Sequence, residues 1–434
     1  MTKILNIRGG KPLSGRVRLA GAKNAASKLM IASMLTDEKV VLENCPQIEE
    51  ISITLEICAG VGAHIEREGS KIMLQTERIA NTKVTSLSRA NRISILALGP
   101  LLHRAGHGEV PIMSGDKIGP RPVNFHIEAL RQMGATIEAM EDGFHAAVPQ
   151  AGLHGTTVAL PYPSVGATEN IILSAVLAAG RTRIENAAIE PEIVDIVKFL
   201  QQMGAIIEFG ANRTITIDGV SKLHGAHYRI LPDRLEAASW ANVAIATNGE
   251  ILVEGARQEE MGTYLNTVRR MGADFEVSPE GIRFRRGKGG LVGIELETDT
   301  YPGFATDWQQ PTVVTLTQAK GISVVHETVF EDRFGYTEDL RNMGADIGVF
   351  AKCLGELPCR FRNRSQRHSA VIMGPTVLHG TKIEIPDIRA GMAQVIAALV
   401  AEGESMLTGV HHLERGYEDL WGKLAGLGAN FDLK

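Results

Sequence analysis

Apolar positions fall into two alternating blocks. The first is a run of small and branched apolar residues, a short polar turn, and then a strand-like stretch. It occurs as LMIASMLTDEKVVLEN from Leu29, ILALGPLLHRAGHGEVPI from Ile95, IILSAVLAAGRTRIEN from Ile171, WANVAIATNGEILVEG from Trp240, VVTLTQAKGISVVHE from Val313 and VIAALVAEGESMLTG from Val395. The second is the end of an apolar-faced helix, a glycine, and a short strand. It occurs as LEICAGVGAHIE from Leu55, LRQMGATIE from Leu130, LQQMGAIIE from Leu200, VRRMGADFE from Val268, LRNMGADIG from Leu340 and LAGLGANFD from Leu424, with starts 68 to 84 residues apart. The glycine suits a left-handed helix C-cap, which side chains with a Cβ resist. Two helix-to-strand steps per copy, with further strands between, predict six βαβαββ units, a period too long for the common solenoids. Six such units fit two α/β domains of three units each.

The chain has 434 residues and a formal net charge of -5, which offers no basic field for nucleic acid and no polybasic membrane patch. A bound anion therefore has to be met by local Lys and Arg side chains. The start, MTKILNIRGG, reads as no signal peptide, and no stretch approaches a spanning helix. The expected setting is the cytoplasm. The four cysteines, Cys45, Cys58, Cys353 and Cys359, show no zinc spacing and read as reduced thiols. His411 and His412 read as a surface turn, and no metal site is expected. RGKGG around Gly287 imitates a phosphate loop but lacks the Ser or Thr after Lys288, and HExxH, GxSxG and CxxC do not occur.

Chemistry is concentrated where the repeat is broken. In LAGAKNAASKLMIA, residues 19–32, a strand is expected to end at Gly21, with Lys23 and Asn24 where a helix starts. A cation beside free N–H groups there makes an anion cradle. SGDKIGPRPVNFHIEAL, residues 114–130, is a loop leading into a helix at about Val123, with Asp116 its carboxylate before the helix and Arg121 close by. YPSVGATEN, residues 162–170, is a Ser-Val-Gly turn before a helix. YPGFATDWQQP puts Asp307 at an expected helix N-cap, ETVFEDRF carries Val329 and Arg333, and PDIRAGMAQ carries Arg389. Taken singly, each reads as a solvated cap or turn residue. The combination is what points to a site.

Together with RISILALGPL from Arg92, ENAAIEPEIVD from Glu185, LPDR from Leu231 and RGYE from Arg415, these strings resemble the enolpyruvyl transferase family along almost the whole chain. The resemblance implies two inside-out α/β barrels with helices inside and sheets facing solvent, formed by 1–21 with 233–434 and by 22–232, and substrates in the cleft between the halves. It also implies transfer of the enolpyruvyl group of phosphoenolpyruvate to the 3'-hydroxyl of UDP-N-acetylglucosamine, with release of phosphate. That reaction is the first committed step of peptidoglycan precursor synthesis, and it calls for no cofactor.

By motif match, Lys23, Asn24, Arg121 and Arg389 would hold phosphoenolpyruvate. Asp116 would be the acid for C3 and Asp307 the base, with Lys23 and Arg389 completing the catalytic set. Arg92, Arg121, Pro122, Val123, Asn124, Phe125, Ser164, Val165, Gly166, Asp307 and Val329 would line the nucleotide-sugar site. Three positions depart from the family: Asp116 stands where most members carry Cys, Tyr162 where Lys is usual, and Asn124 where Asp is usual. A carboxylate at position 116 implies insensitivity to fosfomycin, which alkylates the thiol of Cys-bearing relatives. The lost charges at 124 and 162 leave two alternatives open: transfer to another uridine nucleotide in secondary metabolism, or a non-catalytic nucleotide-sugar-binding protein on the same scaffold.

Overall fold

The computed structural model describes residues 3–84, 87–89, 91–111 and 123–434. The first apolar block folds as helices Lys23–Ala32, Leu98–Ala105, Val165–Ala175, Arg234–Ala246, Thr306–Leu316 and Ile388–Val400. Most are buried all round; every residue of Arg234–Ala246 is buried. Polar side chains at such depth must find partners inside. Asn242 donates to Tyr264 Oη at 2.9 Å and accepts from Thr315 Oγ1 at 2.6 Å, tying two core helices together.

The second block folds as helices Glu49–Gly60, Asn124–Gln132, Pro191–Gln202, Gly262–Arg270, Thr337–Asn342 and Leu420–Gly426, each followed by a strand. Gly62, Gly134, Gly204, Gly272, Gly344 and Gly428 all have φ between +82° and +108°, the left-handed conformation expected of them. The strand expected to reach Gly21 stops at Arg18.

Among the described residues the strands form five four-stranded sheets and one of three strands, a mixed α/β fold of small sheets. One unit shows the plan. Strand Thr157–Ala159 runs parallel to Arg181–Glu185 across helix Val165–Ala175; helix Pro191–Gln202 and the hairpin Ile206–Gly210 with Thr214–Asp218 then complete βαβαββ. Three copies borrow a strand from elsewhere in the chain. Ser14–Arg18 lies parallel to Glu250–Glu254, His227–Arg229 lies parallel to Val40–Glu43, and Leu5–Arg8 pairs between Glu404–Thr408 and Asn430–Leu433. Strand residues alternate between faces: in Arg181–Glu185, Thr182 and Ile184 are buried while Arg181 and Arg183 are exposed.

Contacts divide the described residues into two compact units, one from Ala20 to Leu231 and the other joining the stretch up to Leu19 with Pro232–Lys434. Each has its own hydrophobic core. In the second, helices Arg234–Ala246, Thr306–Leu316 and Ile388–Val400 pack on one another beside the buried aromatics Tyr264, Phe304 and Trp308. In the first, Leu98–Ala105 packs on Val165–Ala175 so closely that a Cβ on Gly99 would stand 2.7 Å from Ser174 Oγ. No helix of the described residues is long and apolar enough to cross a membrane.

Candidate active site

In the Pro232–Lys434 unit the first turns of the three core helices hold a charged, hydrogen-bonded group. Asp307 lies in the first turn of Thr306–Leu316, and the N-cap is Ala305, so the expected capping role is corrected. Its carboxylate is taken by arginines instead. Arg333 donates to Oδ1, and Arg389 Nε lies 3.3 Å from Oδ2. Both arginines are nearly inaccessible, whereas the Asp307 side chain is 24% exposed, enough for a ligand to reach.

Arg389 follows the N-cap Asp387, whose Oδ1 accepts from the Arg389 and Ala390 N–H groups at 2.8 and 2.9 Å. Its guanidinium also donates to Tyr417 Oη at 3.2 Å, and Tyr417 Oη meets Ser239 Oγ at 2.8 Å. Burial works against the Arg389 charge, but Tyr417, Asp307 and Asp233 outweigh it and hold the guanidinium above its ordinary pKa. Asp233 caps Arg234–Ala246 through the Leu235 and Glu236 N–H groups. The N-terminal ends of all three core helices, each with partial positive charge, therefore bear on one cluster. Two buried guanidiniums in such a place favour an anion.

A carboxylate that sequence reasoning passed over organises the neighbouring turn. Glu327 accepts from the Val329 and Phe330 N–H groups at 2.9 and 3.1 Å, and from Thr306 Oγ1 at 2.9 Å. Burial pushes Glu327 above its ordinary range, against the pull of Arg333 and these N–H groups. Thr306 Oγ1 in turn accepts from Arg333 Nε at 3.3 Å, so Val329 is joined through Glu327 and Thr306 to the Asp307 group. Tyr417 and Ser239 find their partners in distant segments, and Glu327 ties its own turn to Thr306, so none of the three was assigned a role from the sequence.

In the Ala20–Leu231 unit, Lys23 is the first residue of helix Lys23–Ala32 and Asn24 the second, both half-buried, as expected. Ser164 caps Val165–Ala175 by accepting from Ala167 N at 3.4 Å; Val165 and Gly166 belong to the first helical turn rather than to a turn before it. Val123 is the N-cap of the helix holding Asn124 and Phe125. Arg92 opens a 3-10 turn whose N-cap, Asn91, is buried and donates to Glu50 at 2.9 Å. His126 joins two of these segments. A Cβ on Gly166 would lie 3.1 Å from His126 Cε1, and burial together with Arg92 lowers the His126 pKa to about 4. Its Nδ1 is buried without a hydrogen-bond partner. Deeper down, Lys28 Nζ is 3.8 Å from Glu169 Oε1; burial raises Glu169 to about 7, Lys28 opposing and Glu192 and Glu190 adding to the rise. Asp116, Arg121 and Pro122 lie outside the described residues.

Although the cysteines show no zinc spacing along the chain, folding gathers Cys353, Cys359, His326 and His368 in one place.

Cations grouped with helix N-termini in each unit suit anionic ligands. A family model described as EPSP synthase (3-phosphoshikimate 1-carboxyvinyltransferase) matches residues 7–424, and the chain belongs to that family of enolpyruvyl transferases. It is 48% identical over 437 residues to the UDP-N-acetylglucosamine 1-carboxyvinyltransferase of Protochlamydia amoebophila, with 99% of this chain and 94% of that one covered. The protein of the same name from Gluconobacter oxydans is 40% identical over 425 residues, covering 98% and 97%. Among solved structures, the enolpyruvyl transferase NikO from Streptomyces tendae matches with a TM-score of 0.87 at 24% identity, covering 100% of this chain and 99% of that one. EPSP synthase from Acinetobacter baumannii matches at 0.72 and 18%, with full coverage of both. At these identities the two structures show the shared fold.

Proposed function

We propose that this chain transfers the enolpyruvyl group of phosphoenolpyruvate to the 3'-hydroxyl of UDP-N-acetylglucosamine, releasing phosphate. What carries the reading is the Arg333–Asp307–Arg389 group, set in a chain 40% to 48% identical along nearly its whole length to proteins named for that reaction. Two domains of inside-out α/β type, 1–21 with 233–434 and 22–232, are the architecture of this reading. Buried helices and one-faced sheets support it.

The reaction adds the sugar oxygen to C2 of phosphoenolpyruvate as C3 gains a proton. The adduct then loses phosphate and a C3 proton. Cations must hold the phosphate and carboxylate, and a base must take the hydroxyl proton. Lys23 and Asn24, at a helix N-terminus, suit the phosphate, with Arg121 and Arg389 as further cations. Arg389 has a second task. While it covers Asp307 Oδ2, both carboxylate oxygens are occupied; moving its fork onto an anionic substrate uncovers Oδ2 for the hydroxyl. Anion binding and base release are thereby linked in one side chain. Asp116 delivers the proton to C3. Arg92, Arg121 to Phe125, Ser164 to Gly166 and Val329 hold the nucleotide sugar, with Glu327 and His126 positioning Val329 and Gly166.

Asn124 and Tyr162 favour a second reading, in which the acceptor is a different uridine nucleotide, because each replaces a charge usual in the family. Phosphate release from phosphoenolpyruvate, assayed against a panel of uridine nucleotides and nucleotide sugars, separates the two. UDP-N-acetylglucosamine as the preferred acceptor supports the first reading, and activity confined to another nucleotide overturns it.

A further inference from the structure

Strand Gly321–His326 pairs antiparallel with Ser369–Gly374, bringing His326 opposite Ser369 and beside His368. Residues 351–368 join strand Asp346–Phe350 to that second strand and carry Cys353 and Cys359. One ligand atom from each of His326, His368, Cys353 and Cys359 lies within 4.8 Å of all the others. Cys353 Sγ is 3.3 Å from His368 Nε2, and the two imidazole centroids are 5.2 Å apart. Both histidines have no accessible surface.

The hydrogen bonds around the cluster fix which nitrogens face it. Ser369 Oγ spends its one proton on Lys352 O at 2.8 Å. It must therefore accept from His326 Nδ1, 2.8 Å away, as it does from Leu354 N at 3.3 Å. With its proton on Nδ1, His326 presents a bare lone pair on Nε2, an atom buried without a hydrogen-bond partner. Leaving such an acceptor desolvated costs about 1–3 kcal/mol. His368 repeats the arrangement: Nδ1 donates to Gln366 O at 2.7 Å, and Nε2 turns to Cys353. Fixing one ring nitrogen so that the other can ligate is how proteins orient metal-binding histidines. Cys359 Sγ accepts from Phe361 N at 3.4 Å, a bond that suits a thiolate.

We propose that His326, Cys353, Cys359 and His368 form a structural zinc site. Two thiolates and two imidazoles are a tetrahedral zinc set. With Zn–S near 2.3 Å and Zn–N near 2.0 Å, a thiolate–imidazole edge of that tetrahedron is roughly 3.5 Å, close to the 3.3 Å between Cys353 Sγ and His368 Nε2. Two thiolates neutralise the dication, which suits a site with two inaccessible ligands. Binding exchanges the two thiol protons for the metal and involves no redox step. The metal would staple 351–368 to the sheet, where buried Phe361 and the Glu297 carboxylate, accepting from Glu356 and Leu357 N–H at 2.8 and 2.9 Å, already hold it. The same segment reaches the candidate nucleotide-sugar turn, since Arg360 donates to Val329 O.

The test is metal analysis of tag-free protein purified under reducing conditions, then loaded with zinc and passed through gel filtration. About one zinc per chain is expected. Cobalt in its place should give the thiolate-to-metal charge-transfer and visible bands of a tetrahedral thiolate site. Cys353→Ser with Cys359→Ser should lose both the metal and the bands, and chelation should raise hydrogen exchange in 351–368. Absence of retained metal, a cobalt spectrum without thiolate bands, or a double variant that keeps its zinc would each overturn the proposal. The cobalt spectrum of the unmodified protein decides the matter even if the variant fails to fold.

Discussion

Arg389 Nε lies 3.3 Å from Asp307 Oδ2 while Arg333 donates to the other oxygen of the same carboxylate, so the proposed base is held between two buried cations. The proposed mechanism assigns the two arginines different tasks: Arg389 moves to the substrate and Arg333 stays.

Arg389→Lys tests the moving partner. Lysine keeps the charge but cannot span Asp307 and Tyr417 with a planar fork. Losing one charge-assisted bond costs about 1.5–3 kcal/mol, so kcat/KM for phosphoenolpyruvate should fall roughly 10- to 150-fold. Steady-state kinetics on a variant with unchanged circular dichroism checks this. Unchanged kinetics would remove Arg389 from the site.

Arg333→Leu tests the fixed partner. It strips a buried charge from Asp307 and Thr306 and leaves Glu327 without its nearest cation. Breaking a buried pair from one side costs roughly 3–5 kcal/mol. The melting temperature should therefore drop clearly by calorimetry. A melting temperature equal to that of the parent would show the pair to be energetically idle.

The repeat was legible because its signal is local. Helix runs, the six glycines at positive φ and the strands that follow depend on a few residues each. The helix starts at Lys23 and at about Val123 were legible for the same reason, whereas the turn expected over Ser164 to Gly166 is already the cap and first turn of its helix. Asp307 was misplaced by two positions because an aspartate in a first turn looks like a cap; what the local pattern cannot show is that Arg333 and Arg389 claim its oxygens. Tyr417 and the His326–Cys353–Cys359–His368 cluster were illegible because their partners meet through sheet pairing and long connections, and Glu327 because its bond to Thr306 joins two segments. Residues drawn from the end of one strand and from a long connecting segment leave no CxxC to read.

Lys23→Met should abolish turnover with the fold intact, because the phosphate loses a cation at the start of its helix. Phosphate release near the parental rate from a well-folded variant would reject the assignment.

Glu169 gives a pH signature unrelated to catalysis. Burial lifts it from its ordinary value near 4.5 to about 7. Between those values the folded carboxyl keeps a proton that the unfolded chain has released, so stability falls as pH rises through that window. The loss is on the order of 3 kcal/mol and is complete above about pH 7. Glu169→Gln should remove that slope in urea unfolding followed from pH 4.5 to 8. Parallel profiles for the two proteins would contradict the buried-carboxyl reading.

Asp116, outside the described residues, is tested by chemistry. An epoxide needs a strong nucleophile, and a carboxylate is far weaker than a thiolate. The unmodified protein should resist time-dependent inactivation by fosfomycin. Asp116→Cys should become sensitive while still turning over, and Asp116→Asn should lose turnover. A fosfomycin adduct on Asp116 of the unmodified protein would show the reading of that position to be mistaken.

The central claim is tested most directly by the mass of the product formed from phosphoenolpyruvate and UDP-N-acetylglucosamine together. The proposed reaction yields the nucleotide sugar enlarged by one enolpyruvyl group, with one phosphate released for each product formed, and Asp307→Asn yields neither. An unaltered nucleotide sugar at full enzyme loading, or phosphate released without the enlarged product, would contradict it.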